Sequence, residues 1–234
     1  MWPTDATSLA AYQRELAEAE PPMWRPEGGA VCVGGCWACF RRGLSGRGAA
    51  GDPAWAAAVA LTGDAIGGEV VTEGVAGAPY EAGLLALRIG PMLEQATRAL
   101  PRTPDVLLID GTGRDHPRRA GLALHLGEVL GMPTVGVTHR PLVARGEWPE
   151  DRRGASAPLR ADGDVVAGWV RTRPGTRPLV VHPGWGVDLE TAVDVVLATC
   201  TRRTPEPLRR ARHAARIGRV ARERRTISDD RRGA

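Results

Sequence analysis

Residues 104–142 read PDVLLIDGTGRDHPRRAGLALHLGEVLGMPTVGVTHRPL. An apolar run, Asp105 to Ile109, ends in one acid, Asp110. Gly111 and Gly113 bend the chain, and His116-Pro117-Arg118-Arg119 is placed to open a helix. Pro117 suits a first helical position, where a missing N–H costs nothing. The spacing ends that helix near Gly131, and Pro133 starts a second apolar run, Thr134 to Val137. Two apolar runs joined by a helix predict a βαβ unit in a parallel, buried sheet. Ligands of such sheets sit beyond the carboxyl ends of the strands. Asp110 and His139 lie at such ends and His116 on the first connection, so a functional centre is expected there.

Upstream, Thr4 to Glu20 is predicted helical, capped by Thr4 or Asp5, with Leu9, Tyr12, Leu16 and Ala19 on one face. Ala30–Phe40, Ala54–Leu61 and Ile66–Gly74 read as three strands of an antiparallel meander. The loop Val75–Gly83 carries Tyr80 at its centre, and Leu84–Leu100 is an amphipathic helix that Gly90-Pro91 should kink or start. Downstream, Arg145–Ala161 is polar and punctuated by Pro and Gly, hence loop. Val165–Thr172 and Pro178–His182 read as strands at or near a sheet edge. Asp188 caps a helix over Leu189–Thr201, and a basic helix, Leu208–Arg225, follows Pro205 and Pro207. This order predicts a mixed α+β domain of ribonuclease-H-like type, with helices on both faces of a mixed sheet.

The composition supports one large domain: 234 residues, 43% hydrophobic. There is no run of about 18 apolar residues to span a membrane. The N-terminus lacks the basic start and apolar stretch of a secretory signal. Three of the four Cys crowd at Cys32, Cys36 and Cys39, without the second ligand pair that a structural zinc site wants. Free thiols in a reducing cytoplasm are the expectation. All 31 basic residues are Arg. From Arg202 to Arg232 the net charge is +8, against −4 for the remainder. The chain therefore divides at about residue 203 into a mildly acidic body, 1–203, and an Arg-rich arm, 204–234. Such an arm either tracks a phosphate backbone or is a solvated helix.

The quoted stretch resembles the endonuclease V family of deoxyinosine 3′ endonucleases. The family carries a V-D-G-x-G run, then H-P-R-R, then P-T-I-G-V; here these stand as Asp110-Gly111-Thr112-Gly113, His116-Pro117-Arg118-Arg119 and Pro133-Thr134-Val135-Gly136-Val137. Ala78-Pro79-Tyr80 through Gly83 resembles its tyrosine loop, and Pro178–Ala192 its last strand and helix. The resemblance runs from the first helix to Cys200. It implies a ribonuclease-H-like domain that recognises inosine in DNA or RNA and uses Mg²⁺ to hydrolyse a phosphodiester 3′ to the lesion. Carboxylates would hold the ion, and the ion would activate water. The resemblance also implies roles in nucleic-acid binding. Tyr80 and Gly83 would form a wedge beside a flipped base, Gly111 and Gly113 would line the lesion pocket, and Arg118 and Arg119 would touch phosphate. The local readings remain beside these: Tyr80 packed on the helix below, the glycines forming a tight turn, the arginines as surface charge.

Residue-by-residue transfer leaves the metal site depleted. The central acid corresponds to Asp110 and the family His to His116. The first-strand Asp corresponds to Trp37, and the Glu of R-E-x-P to Ile89. The family Lys falls on His139, and the late T-G-H-R motif reads Pro183-Gly184-Trp185-Gly186. Trp37, Trp148 and Trp185 are expected to fill the vacated centre. Glu81 and Asp115, the latter on a flexible turn, do not replace the lost acids. Three functions remain open: a nucleic-acid-binding protein with impaired or lost cleavage; an active metal-dependent endonuclease rebuilt from Asp110, His116 and His139; or a divergent member taking another ligand in the vacated pocket.

Overall fold

The computed structural model describes residues 2–230, with side chains through residue 225. Helix α1 spans Ala6–Ala17, and the Asp5 carboxylate caps it by accepting the Thr7 and Ser8 N–H groups, each at 2.9 Å. Strands β1 (Cys32–Phe40), β2 (Pro53–Thr62) and β3 (Ala65–Val75) form the expected antiparallel meander. Helix α2 (Leu85–Arg98) runs through Pro91, and β4 (Val106–Ile109), α3 (Leu122–Leu130) and β5 (Thr134–Thr138) make the βαβ unit. Strands β6 (Ser156–Ala161), β7 (Asp164–Val170) and β8 (Leu179–Pro183) precede α4 (Leu189–Ala198) and α5 (Glu206–Asp230). Among the described residues they build one mixed sheet in the order β3-β2-β1-β4-β5-β8-β7-β6, with β1, β4 and β5 parallel.

Period-two alternation on β4 explains why the sheet is covered on both sides. Leu107 and Ile109 enter the core beneath α2 and α3, while Val106 and Leu108 enter the core beneath α4. The same alternation sends Cys36 and Cys39 into different cores, so the two thiols do not share a site. Burial pushes the Cys36 thiol up to about 12. Strand β2 is buried from Ala54 to Leu61, and its five Ala let helices approach both faces closely. Against its outer face lies α5, with Ala211, Ala214 and Ala215 inward against Trp55, Val59 and Leu61. Gly35 of β1 makes this possible: a Cβ there would run into the Pro207 backbone. From Leu208 to Arg219 the basic arm is thus a packed layer of the fold, while from Ala221 to Arg225 it is mostly exposed.

Three expectations require correction. Helix α3 begins at Leu122, not at His116. Residues 114–120 form a turn in which the His116 ring accepts the Arg118 N–H (3.1 Å) and Arg119 takes a left-handed φ of 57°. That geometry cannot continue into a helix. The segment 145–161 ends in a strand, β6, which tolerates Pro158 because it is the sheet edge. Strand β8 is interior, paired to β5 on one side and β7 on the other; β3 and β6 are the edges. None of the described helices is long and apolar enough to cross a membrane.

Candidate functional site

Parallel pairing of β1 with β4 sets Cys36 opposite Ile109 and so brings Trp37 beside Asp110. The Trp37 indole N–H donates to an Asp110 carboxylate oxygen at 2.9 Å. Ile89, 8% exposed on α2, faces the same cavity of about 480 Å³, together with Phe40, Tyr80 and Arg88. The three positions at which carboxylates were sought are therefore brought together, but only one is an acid. Two guanidiniums of α5, Arg212 and Arg216, stand over the Trp37 ring at 5.5 and 5.3 Å from its centroid. Trp185 and Trp148 do not fill this centre. Trp185 packs with Leu16, Ala120 and Leu124 beneath α1 and α3. Trp148 lies edge-on to Trp169 and carries Arg171 and Arg177 over its ring.

Asp110 and Tyr80 also border a second cavity, of about 290 Å³, with Glu81, Gly83, Gly111, Thr112 and His116 on its wall. Tyr80, 51% exposed, stands between the two cavities. Gly83 holds a φ of +82°, and its carbonyl accepts from Gln13 Nε2 (3.3 Å), His116 Nε2 (3.1 Å) and Arg118 (2.8 Å). Because His116 Nδ1 accepts the Arg118 N–H, its proton sits on Nε2, and both ring nitrogens are occupied. His116 thus braces the tyrosine loop instead of facing Asp110 as a metal ligand. Arg88, buried on α2, braces that loop from the other side through the Ala78 carbonyl while stacking on Phe40 at 4.0 Å. Gly111 and Gly113 form the turn after β4. A Cβ on Gly113 would strike the Pro183 carbonyl, so this turn packs directly on β8.

Asp115 is not on a flexible turn. It is fully buried and accepts the N–H groups of Leu142 (2.8 Å), Val143 (2.8 Å) and Ala144 (2.7 Å). His182 Nδ1 lies 4.0 Å from it, and His182 Nε2 meets Thr138 Oγ1 at 2.9 Å. Arg118 and Arg119 are at no helix start. Arg118 also donates to Gln13 Oε1 (2.6 Å), and Arg119 reaches the Ala161 carbonyl, Asp162 and Asp164. His139 is exposed at the end of β5. Partial desolvation, then the nearby Arg203, hold it below the ordinary imidazole value; Asp110 opposes this, while Arg212 and Arg177 add to it. Sequence reasoning missed Arg177 and Arg203 at this centre. The Ala211, Ala214, Ala215 stripe, with Arg on the flanks, was the legible sign that α5 packs and points cations outward.

Mg²⁺ prefers six near-octahedral oxygens and sheds water reluctantly. Among the described residues no group of three or more His, Cys, Asp or Glu side chains is placed to hold an ion. Asp110 offers one carboxylate, already engaged by Trp37, so this donor set does not fit Mg²⁺. The trio Asp110, His116 and His139 does not form a substitute, since His116 is spent on Gly83.

Three buried imidazoles give the fold an acid limit. His116, His125 and His182 are each lowered to about 4, burial being the largest cause in every case. His125 has no hydrogen-bond partner on its ring among the described residues and stacks on Trp2 at 4.1 Å. Between an unfolded value of about 6.5 and the folded value of about 4, the unfolded chain binds more protons, so stability rises with pH across that window. Chemical denaturation at pH 7.5 and at pH 5 is expected to show a large loss at pH 5, up to about 1.4 kcal/mol per pH unit for each imidazole. Equal midpoints would mean that these imidazoles titrate normally in the fold.

Residues 43–213 match the family model of Endonuclease V. The match starts after β1 and enters α5, so it differs at both ends from the extent expected from the motifs; Ile89 and Asp110 lie inside it and Trp37 before it. An Endonuclease V of Roseiflexus castenholzii is 44% identical over 145 residues, 62% of this chain, and the chain spans 65% of that relative's length. The crystal structure of Endonuclease V from Streptomyces avermitilis is 36% identical, with a TM-score of 0.81 over 93% of this chain and 94% of that one. A Ciona intestinalis Endonuclease V, in complex with a 23mer DNA containing an inosine followed by a ribo-adenosine, shares the fold at 23% identity and a TM-score of 0.76, over 92% and 97% of the two chains.

Proposed function

The chain belongs to the endonuclease V family, and from that premise we propose that it binds nucleic acid, with inosine-bearing strands as its substrate class, but has lost efficient metal-dependent cleavage. One observation carries this reading. Trp37 occupies the place beside Asp110 that a second carboxylate would need, and ties up an Asp110 oxygen. The Ciona family member's DNA complex supports nucleic acid as the partner class. The cavity bordered by Tyr80, Gly83, Gly111 and His116 suits an extruded base, with Tyr80 at its mouth as the wedge. In this reading His116, Arg118 and Gln13 are positioning residues: they hold the Gly83 carbonyl and so set the loop that carries Tyr80. Asp110 retains a free oxygen with which to accept a hydrogen bond from a bound base or sugar. Four buried free thiols agree with a reducing compartment such as the cytoplasm.

The test is direct. Inosine-containing DNA and RNA are incubated with the protein in Mg²⁺ or Mn²⁺, and cleavage and binding are read separately. Binding that weakens steeply with salt, without cleavage above background, is the expected result. Metal-dependent cleavage that vanishes in Asp110→Ala would overturn it and restore the active-enzyme reading. Failure to bind any nucleic acid would turn attention to a different ligand in the cavity of Trp37, Phe40 and Ile89.

A further inference from the structure

Charge on α5 is not uniform. Near its start Glu206 pairs with Arg209 and Arg210, and further along Glu223 lies 4.0 Å from Arg219. Between these pairs, Arg212 and Arg216 meet no carboxylate among the described residues; their guanidiniums lie over Trp37. Two more cations act on His139, at the end of β5. Arg203, in the link before α5, donates to the Arg177 carbonyl at 2.7 Å, and no carboxylate pairs with either residue among those described. Arg177, Arg203 and Arg212 all disfavour the charged form of His139, which Asp110 favours. Arg212 and Arg216 thus stand over the indole whose N–H holds Asp110, and Arg177 and Arg203 act on His139 at the end of β5.

Such crowding of like charge is unfavourable in an empty protein and favourable when an anion enters. Arg216 is held below the ordinary guanidinium value by partial burial and then by Arg212 and Arg219, and Arg203 by burial and then by Arg177. Arg212 and Arg216 are one helical turn apart, about 6 Å along the axis, so they point along one line. Beyond Arg216 the line continues into a groove with Arg42, His213 and Arg224. A linear array of this length fits an extended polyanion better than a single phosphate ion. Planar guanidiniums bind phosphate by paired hydrogen bonds and need no metal to do so.

We propose that Arg212 and Arg216, with Arg177 and Arg203, form a metal-free phosphate clamp that seats a nucleic-acid backbone across Trp37 beside Asp110. The clamp rests on the nucleic-acid reading above and adds to it the residues that supply affinity and the independence from divalent ions. The cationic partner of the backbone is then the α5 layer itself.

Fluorescence anisotropy with a labelled inosine-containing oligonucleotide tests it on the full chain, in EDTA and in Mg²⁺, over a range of salt. Wild-type affinity is expected to be the same with and without Mg²⁺. Arg212→Ala/Arg216→Ala is expected to bind about 10- to 100-fold more weakly at low salt, with a log K against log salt slope shallower by about two. Arg212→Lys/Arg216→Lys, which keeps the charge, should recover most of the affinity. Arg14→Ala/Arg102→Ala removes two exposed arginines elsewhere and should leave affinity near wild type. Unchanged binding by the Arg212/Arg216 alanine variant, an equal loss in the Arg14/Arg102 variant, or binding that requires Mg²⁺ would overturn the clamp while leaving the nucleic-acid reading intact. A wild-type protein that binds no oligonucleotide would overturn that reading and the clamp with it. Thermal unfolding of each variant separates loss of fold from loss of contact.

Discussion

Trp37→Asp combined with Ile89→Glu is expected to produce a protein that binds Mn²⁺ at least about 100-fold more tightly than the parent, by isothermal titration. Trp37, Ile89 and Asp110 line one cavity, so the double variant sets three carboxylates around a common space. A unit charge at about 4 Å from another is worth about 4 kcal/mol at an effective dielectric constant of 20, and desolvation of the new acids removes part of this. Two added acids acting on a divalent ion leave a gain well above the 2.7 kcal/mol that corresponds to about 100-fold. Each single variant should gain less than about 10-fold, because two carboxylates remain short of what a hard, strongly hydrated ion requires. Mn²⁺ should also raise the melting temperature of the double variant and leave that of the parent unchanged. A flat titration in a folded double variant would show that the three cavity positions do not converge on one ion.

The second large effect is on stability. Asp115→Ala should lower the melting temperature by about 8 to 16 °C, from a loss of about 4 kcal/mol at about 2 to 4 °C per kcal/mol for a chain of this size. Three backbone N–H groups, of Leu142, Val143 and Ala144, would lose their acceptor. At least Ala144 is buried where water cannot replace it, and the bonds are made to a carboxylate, which strengthens each one. Asp115→Asn keeps one acceptor oxygen and should lose roughly half as much. A fall of less than about 2 °C in Asp115→Ala would mean that the 142–144 segment finds other partners.

Asp115 also marks what the sequence could and could not say. The βαβ frame was legible because apolar runs of four or five residues flank a helix-period segment. The role of Asp115 was not, because its partners lie 27 to 29 residues ahead in the chain and no local pattern links them. Pro117 gave a false helix start: it fits a first helical position equally well as a turn residue, and the His116 ring decided for the turn. Strand β6 was hidden by Pro158 and Arg160, residues that only an edge strand accommodates. At the site, the motif positions of Trp37, Ile89 and Asp110 converge on one cavity. The fates of Trp148 and Trp185 did not follow from residue type, since a large aromatic buries as well under α1 as in the centre. Arg177 escaped notice because it belongs to no motif and lies on the β7–β8 connection, far in sequence from the His139 it acts on.

Trp37 beneath Arg212 and Arg216 also bears on the substitutions by which this chain could gain a three-carboxylate metal site. In sequence space the nearest step toward an ion site is an acid at position 37, and that acid would arise under two guanidiniums. Its first partner would be an arginine, and the resulting ion pair would mask the charge that the metal needs. The acid at position 89 would then have to be acquired inside a cavity still lacking an ion to neutralise it. Neither step confers a metal site alone, and the first strengthens the hold of α5 on the centre. The packed arginine helix therefore acts as a ratchet, closing the short paths to such a site and leaving only those that change several positions together.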